Sequence, residues 1–306
     1  MASQKEVKNR IASVKNIHKI TRAMEMVAAA RLRRAEQRID AMRPYAQAIR
    51  KMTREVAEAS EGGASRVALL QSRDEIKRVG IVLVTGDRGL AGAFNTNIIR
   101  EGMRLKGEYE REGTEVSFRV VGRRGNSTLS FRGENVDAAY TGFTDRPGFA
   151  NAREISRDLV TAFRDAEVDK VELIYNRYVS PLTQYVRRHT LLPLSQAEVF
   201  GEGVAEDEPP ADEELAQAHR RSDLIYEPDA EELLPQLIEE YVDLSVFRAL
   251  LESAASEHGA RMTAMRNASE NADAMIDRLT LEMNRARQAE ITQEILEVVA
   301  GAEALG

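Results

Sequence analysis

The chain is predicted to be a mixed α+β and α/β protein: a long antiparallel coiled coil formed by its two ends, with an open α/β domain between them. Three observations predict this. Both ends carry apolar residues at steps of three and four over some sixty residues, whereas the middle changes to short, continuous apolar runs of strand length. The 306 residues include no Trp and only 5% aromatics. That is a thin supply for one broad core but enough for a narrow two-helix seam.

The N-terminal segment, 1–60, is the first element. From Gln4 to Ser60 it holds one Pro and no Gly and is rich in Ala, Glu, Arg, Lys and Met, the composition of an almost uninterrupted helix. Val7, Ile11, Val14, Ile17, Ile20, Met24 and Val27, then Leu32, Ala35, Ile39 and Met42, form the expected seam. At 1.5 Å per residue such a helix approaches ~80 Å, longer than a compact domain needs. Pro44 is the expected bend, and Gly62 and Gly63 the expected stop.

The central segment, 77–200, opens on Val79–Thr85, a run suited to a buried strand, and passes straight into Gly86-Asp-Arg-Gly-Leu-Ala-Gly92. Helix is expected over 97–112, strand over 115–122, helix over 152–166 and strand over 170–178. Residues 185–200 are expected to give an edge strand or an exposed connection. Strands and helices in alternation imply a Rossmann-like open sheet covered by helices. Residues 201–222, rich in acid, Gly and Pro, read as a flexible loop.

The C-terminal segment, 233–300, mirrors the first. Met262, Met265, Ala268, Ala272, Met275, Ile276, Leu279, Met283, Ala286, Ile291, Ile295 and Val298 form its stripe. Neither stripe is stable alone. If the central domain returns the chain to its starting end, the two pair antiparallel.

Composition excludes several functions. With no Cys, this chain forms no disulfide, thiolate metal site or catalytic thiol. It has no run of 18 apolar residues, so no membrane span is expected, nor is an N-terminal leader. The net charge of −7 disfavours nucleic acid, but the average hides a division. Residues 1–60 carry 14 basic and six acidic side chains, while 201–245 carry two basic and 15 acidic.

Candidate chemistry is sparse. The loop Gly86, Asp87, Arg88, Gly89 and Gly92 invites a phosphate-cradle reading, but it matches neither G-x-x-x-x-G-K-[ST] nor G-x-G-x-x-G. A turn that lets Asp87 or Arg88 reach another subunit fits better. His18, His189, His219 and His258 show no metal-ligand spacing and read as surface or seam residues; no metal, cofactor or catalytic residue is expected. Arg31, Arg33, Arg34 and Arg38 could meet phosphate, acidic lipid or an acidic protein loop. Their long-helix context, without nearby aromatics, favours the protein loop. The residues alone leave three functions open: a non-catalytic coupling subunit, a coiled-coil adaptor, and a nucleotide-binding α/β enzyme with helical arms.

Three stretches carry a resemblance. They are 11–34 (IASVKNIHKITRAMEMVAAARLRR), 87–95 (DRGLAGAFN), and the pair 260–268 (ARMTAMRNA) and 284–295 (NRARQAEITQEI). In this order they resemble the gamma subunit of the bacterial F-type ATP synthase. The resemblance implies a non-catalytic rotor shaft whose two terminal helices turn inside three alpha and three beta subunits, coupling ion-driven rotation of a membrane c-ring to ATP synthesis or hydrolysis at beta. It implies Met24, Arg31, Arg33 and Arg34, with Arg287, Gln288 and Thr292, as coupling contacts to alpha and beta. It places Tyr226 and Glu227 in a foot that meets the c-ring and the epsilon subunit. The location implied is peripheral, on the cytoplasmic face of the bacterial plasma membrane, within the F1 sector. Ala91 stands where the family often has Cys, and the redox-regulatory insertion of chloroplast forms is absent.

Overall fold

The computed structural model describes residues 4–60, 67–73, 75–200 and 229–303. The expected loop 201–222, Gly62, Gly63, Tyr226, Glu227 and His219 lie outside the described residues.

The two terminal helices are α1 (Gln4–Ala59) and the last helix (Ala230–Glu303). Between them run β1 (Arg78–Val84), α2 (Phe94–Arg111), β2 (Glu115–Val121), α3 (Arg123–Phe131), β3 (Val136–Tyr140), α4 (Phe149–Arg164), β4 (Lys170–Tyr178), β5 (Gln184–Leu192) and the short α5 (Gln196–Phe200). The last helix is therefore α6. The sheet order is β3-β2-β1-β4-β5, parallel except for the antiparallel edge strand β5. β1 is central because every residue after Arg78 is buried, as a strand covered on both faces requires. Val79, Ile81 and Leu83 pack with α2 and α3, while Val82 and Val84 face α4 and α6.

The first third of α6 belongs to this domain, which the sequence reading assigned to the coil. Leu234, Ile238, Val242, Val246, Ala249 and Leu250 join the core beneath the sheet. Arg153 of α4 ties the helix down at Asp243 (3.1 Å) and Glu240 (3.2 Å).

Beyond the domain, α6 pairs antiparallel with α1. Leu32 and Ala35 pack with Ala255 and Met262, and Val7 and Ile11 with Leu279 and Met283. Thr21 Oγ1 meets Ser269 Oγ at 2.7 Å, and His18 lies 3.3 Å from Asp273. Pro44 does not interrupt α1, and Pro235 sits within the opening turns of α6.

The seam itself differs from the expected one. Ile17, Ile20 and Val27 are exposed and Met24 is half-buried, while Thr21, Glu25 and Ala28 face the partner helix. Small and hydrogen-bonded residues line this stretch because they let the backbones approach closely. Glu25 is buried there only with Arg266 (3.1 Å) and Arg22 (2.8 Å) on its carboxylate. The lower stripe also fails as a seam: Met275, Ile291, Ile295 and Val298 are exposed. The antiparallel register brings Gln4 level with about Ala286, so the remainder of α6 has no partner helix among the described residues.

A buried charge cluster stiffens the sheet edge. Glu172 of β4 accepts from Tyr109 (2.8 Å) and Arg188 (3.0 Å) and lies 2.8 Å from Lys170. Burial alone would raise its pKa, but hydrogen bonds from Arg188, Lys170 and Tyr109 outweigh burial and hold it at about 2. The folded-state value lies below the unfolded one, so this stabilisation is present above about pH 4.5 and lost as pH falls toward about 2. Glu172→Gln is expected to cost about 3 kcal/mol at neutral pH, because Lys170 loses its counter-charge and Arg188 keeps only the longer contact to Glu108 (3.8 Å). In urea titrations its deficit against the parent should shrink on acidification; a deficit independent of pH would contradict the assignment.

Candidate functional site

The coil surface and its junction with the domain hold nearly all the described candidate residues. The glycine loop follows β1 and turns over the end of the sheet. Gly86 lies close against α6: a Cβ at that position would lie 2.8 Å from the Glu257 carboxylate, which would have to shift. Gly86 N–H donates to Asn95 Oδ1 (2.8 Å) and Asp87 N–H to Thr144 Oγ1 (2.8 Å). These two amides are spent inside the domain and are not offered to an anion.

Asp87 does not reach outward. One carboxylate oxygen accepts from Gly142 N–H (2.9 Å), Thr144 N–H (3.2 Å) and Thr144 Oγ1 (3.1 Å); the other accepts from Arg123 N–H (3.1 Å). Burial works to raise its pKa, and these hydrogen bonds bring the net shift below the usual carboxylate value. Arg88 is exposed and stands 3.6 Å from Asp145. Gly89 offers its carbonyl to Arg261 of α6 (3.3 Å), and Gly92 takes the left-handed conformation at φ +55°.

Three residues at this junction were not singled out from the sequence, Asp145, Glu257 and Arg261, and they surround His258. Arg261 pairs with Glu257 one turn away. His258 is buried, and its Nε2–H donates to Asp145 O (3.2 Å), which leaves Nδ1 to accept from Arg261 Nη1 (3.4 Å). That tautomer is neutral, in keeping with burial pushing the imidazole pKa down. Of the two expected readings, surface or seam, His258 takes the buried one, where the coil meets the domain. Arg261 lies within a stretch quoted for the resemblance; Asp145 sits in a loop remote in sequence from α1 and gives no local signal.

The expected contact residues fall at three levels of the coil. Arg31 is half-buried and paired with Asp145 at 2.6 Å. Arg33 and Arg34 are exposed and make no ion pair among the described residues. Met24 lies about two turns nearer the N-terminus of α1, on the same face as exposed Ile20 and Val27. Arg287, Gln288 and Thr292 are exposed on the unpartnered part of α6, where Thr292 Oγ1 donates to Gln288 O (2.9 Å). No group of three or more His, Cys, Asp or Glu among the described residues is arranged to hold a metal ion. No described helix is long and apolar enough to cross a membrane.

Comparison with known proteins adds family evidence. A family model described as ATP synthase matches residues 3–305. The ATP synthase gamma chain of Rubrobacter xylanophilus is 42% identical over 306 residues, spanning all of this chain and 99% of the relative. That of Nostoc punctiforme is 42% identical over 318 residues, covering both chains in full. Among solved structures, a chain from the central stalk and c-ring of the Tetrahymena thermophila mitochondrial ATP synthase is similar with a TM-score of 0.58 and 28% identity, covering 82% of this chain and 99% of that one. A chain of the Euglena gracilis mitochondrial ATP synthase matches in fold at a TM-score of 0.64 and 18% identity, over 99% of this chain and 94% of that one.

Proposed function

Because the chain belongs to the ATP synthase gamma-chain family, we propose that its exposed coil surfaces are the parts that meet the catalytic subunits. The protein is the non-catalytic central shaft of the rotary machine, coupling rotation to ATP synthesis or hydrolysis at the beta subunits. Its partners are three alpha and three beta subunits, the epsilon subunit and the c-ring. It belongs to the peripheral F1 sector of a bacterial enzyme, which we place on the cytoplasmic face of the plasma membrane.

The unpartnered part of α6 carries the reading. Ile291, Ile295, Leu296, Val298 and Val299 are all exposed there, with Val298 72% accessible. Isolated exposed apolar residues are ordinary, but a run of them along one otherwise unpaired helix calls for a cover. Each fully covered side chain is worth about 1.5–3 kcal/mol, so a surrounding sleeve would hold this tip firmly. Ile17, Ile20 and Val27, spaced three and seven apart, form a second exposed apolar patch on one face of α1. In this reading Met24 and these neighbours bear on the sleeve at one level and Arg287, Gln288 and Thr292 at the other, while Arg33 and Arg34 face acidic loops of beta. Tyr226 and Glu227 complete the foot toward epsilon and the c-ring.

A shaft of this kind needs no chemistry of its own. Unequal side contacts around an off-centre rod bias neighbouring bistable subunits in turn as the rod rotates. Mixing the purified chain with alpha and beta subunits of the same enzyme should yield one stoichiometric complex in size-exclusion chromatography. Shortening α6 after Gln288 should weaken that complex while the α/β domain keeps its melting transition. Undiminished assembly of the shortened chain would contradict the sleeve.

A further inference from the structure

The glycine loop is hydrogen-bonded to a second loop, and the second loop holds α1. Asp87 anchors Gly142 and Thr144, as described above. Two further residues of the same loop then receive arginines from the coil. Asp145 Oδ2 accepts from Arg31 Nη1 (2.6 Å), and Pro147 O accepts from Arg38 Nη2. Arg31 and Arg38 are seven positions apart, two helical turns, and so share one face of α1. From the β4–β5 hairpin, Tyr178 Oη donates to Glu36 Oε1 of the same stretch of helix. α1 is thereby gripped over residues 31–38 by two separate parts of the domain.

α6 needs no such grip, since its first third is embedded in the domain core. Further along, α1 is held against α6 by packing and by the Thr21–Ser269, Glu25–Arg266 and His18–Asp273 contacts, and its C-terminal end enters the domain core through Val56. Asp145 also binds α6 directly, through its carbonyl and His258 (3.2 Å). It therefore ties both coil helices and, through Arg88 (3.6 Å), the glycine loop at one level. Its other carboxylate oxygen is buried and meets no hydrogen-bond donor among the described residues.

We propose that Asp87 and Asp145 are positioning residues for torque transmission. The glycine loop, through Asp87, braces loop 142–148, and that loop fixes α1 to the body in which α6 is already seated. Torque applied to the domain then enters both helices together, without α1 sliding along α6. The inference rests on the rotor-shaft reading.

The test uses the full chain assembled into the membrane-bound enzyme. Asp145→Ala is expected to leave ATP hydrolysis within about twofold of the parent, while ions pumped per ATP hydrolysed fall about fivefold. Asp145→Glu, which keeps the charge, should restore at least half of the lost ratio. Arg104→Ala, which removes pairs confined to α2, should leave the ratio unchanged. Because the chain has no Cys, spin labels at Gln37→Cys and Phe131→Cys report α1 against the domain with no competing thiol in this chain. Their distance distribution should broaden with Asp145→Ala and not with Arg104→Ala. An unchanged ratio and distribution in Asp145→Ala, or hydrolysis and pumping lost in equal proportion, would overturn the brace. In either case a parent enzyme that assembles and pumps keeps the shaft reading; a parent chain that fails to assemble would sink that reading instead.

Discussion

Gly122→Ala is expected to lower the melting temperature of the α/β domain by about 10 °C, the consequence of ~4 kcal/mol of lost stability in a domain of this size. Gly122 links β2 to α3 with φ +93°, and a Cβ there would lie 2.3 Å from the Thr85 carbonyl oxygen. Both the backbone conformation and the space reject a side chain. The strain cannot be relieved by moving a flexible side chain, because the obstruction is the backbone that carries the glycine loop. Gly92→Ala is the internal comparison. Its φ is +55° but nothing lies within 4 Å of the added atom, so only the conformational cost of about 1 kcal/mol remains. Calorimetry of the two variants should separate them clearly; equal melting temperatures would show that the close approach of β2, Thr85 and Gly86 is mistaken.

Arg33→Glu combined with Arg34→Glu is expected to impair coupling severely while leaving folding almost untouched. Both side chains are exposed and pair with nothing among the described residues, so their reversal removes no internal ion pair. Exposed helical charges contribute at most about 1 kcal/mol to stability, and the melting temperature should move by no more than ~3 °C. Against an acidic partner loop the same change turns attraction into repulsion, which costs several kcal/mol at an interface. ATP-driven pumping in membrane vesicles should fall about tenfold or more. Undiminished pumping would reject these two arginines as coupling contacts, and a large drop in melting temperature would show that they serve the fold instead.

The architecture was legible where one physical signal dominated. The continuous run Val79–Thr85 could only be a strand buried on both faces, and Gln4–Ser60 has little that could stop a helix. Short, weakly patterned elements were not legible. α3 is Ser-, Thr- and Asn-rich with a Gly inside it, and β3 alternates only partial burial, so neither stands out from a loop.

The seam was misread for a related reason. Hydrophobic spacing along 11–27 identifies an apolar face but not what that face meets. Ile17, Ile20 and Val27 point away from α6, and Thr21 with Ser269 takes the interior. In a solitary globular protein the opposite arrangement would win; in the shaft reading proposed above, the larger apolar residues are the ones offered to the surrounding subunits. Asp87 illustrates the other limit. Its position in a glycine loop was visible, but its four hydrogen bonds come from residues 36 to 57 positions away. The same holds for Arg31, whose partner Asp145 is 114 residues distant.

The central claim is that this chain is a rotating shaft, and watching it turn tests that most directly. A probe attached through Phe131→Cys, at a site 91% exposed on the α/β domain and with no other thiol in the chain, would ride on the domain that the proposed sleeve leaves uncovered. With the alpha and beta subunits fixed to a surface, ATP should drive the probe in one direction through repeated full turns. A stoichiometric complex that hydrolyses ATP while the probe shows only undirected fluctuation would contradict the account.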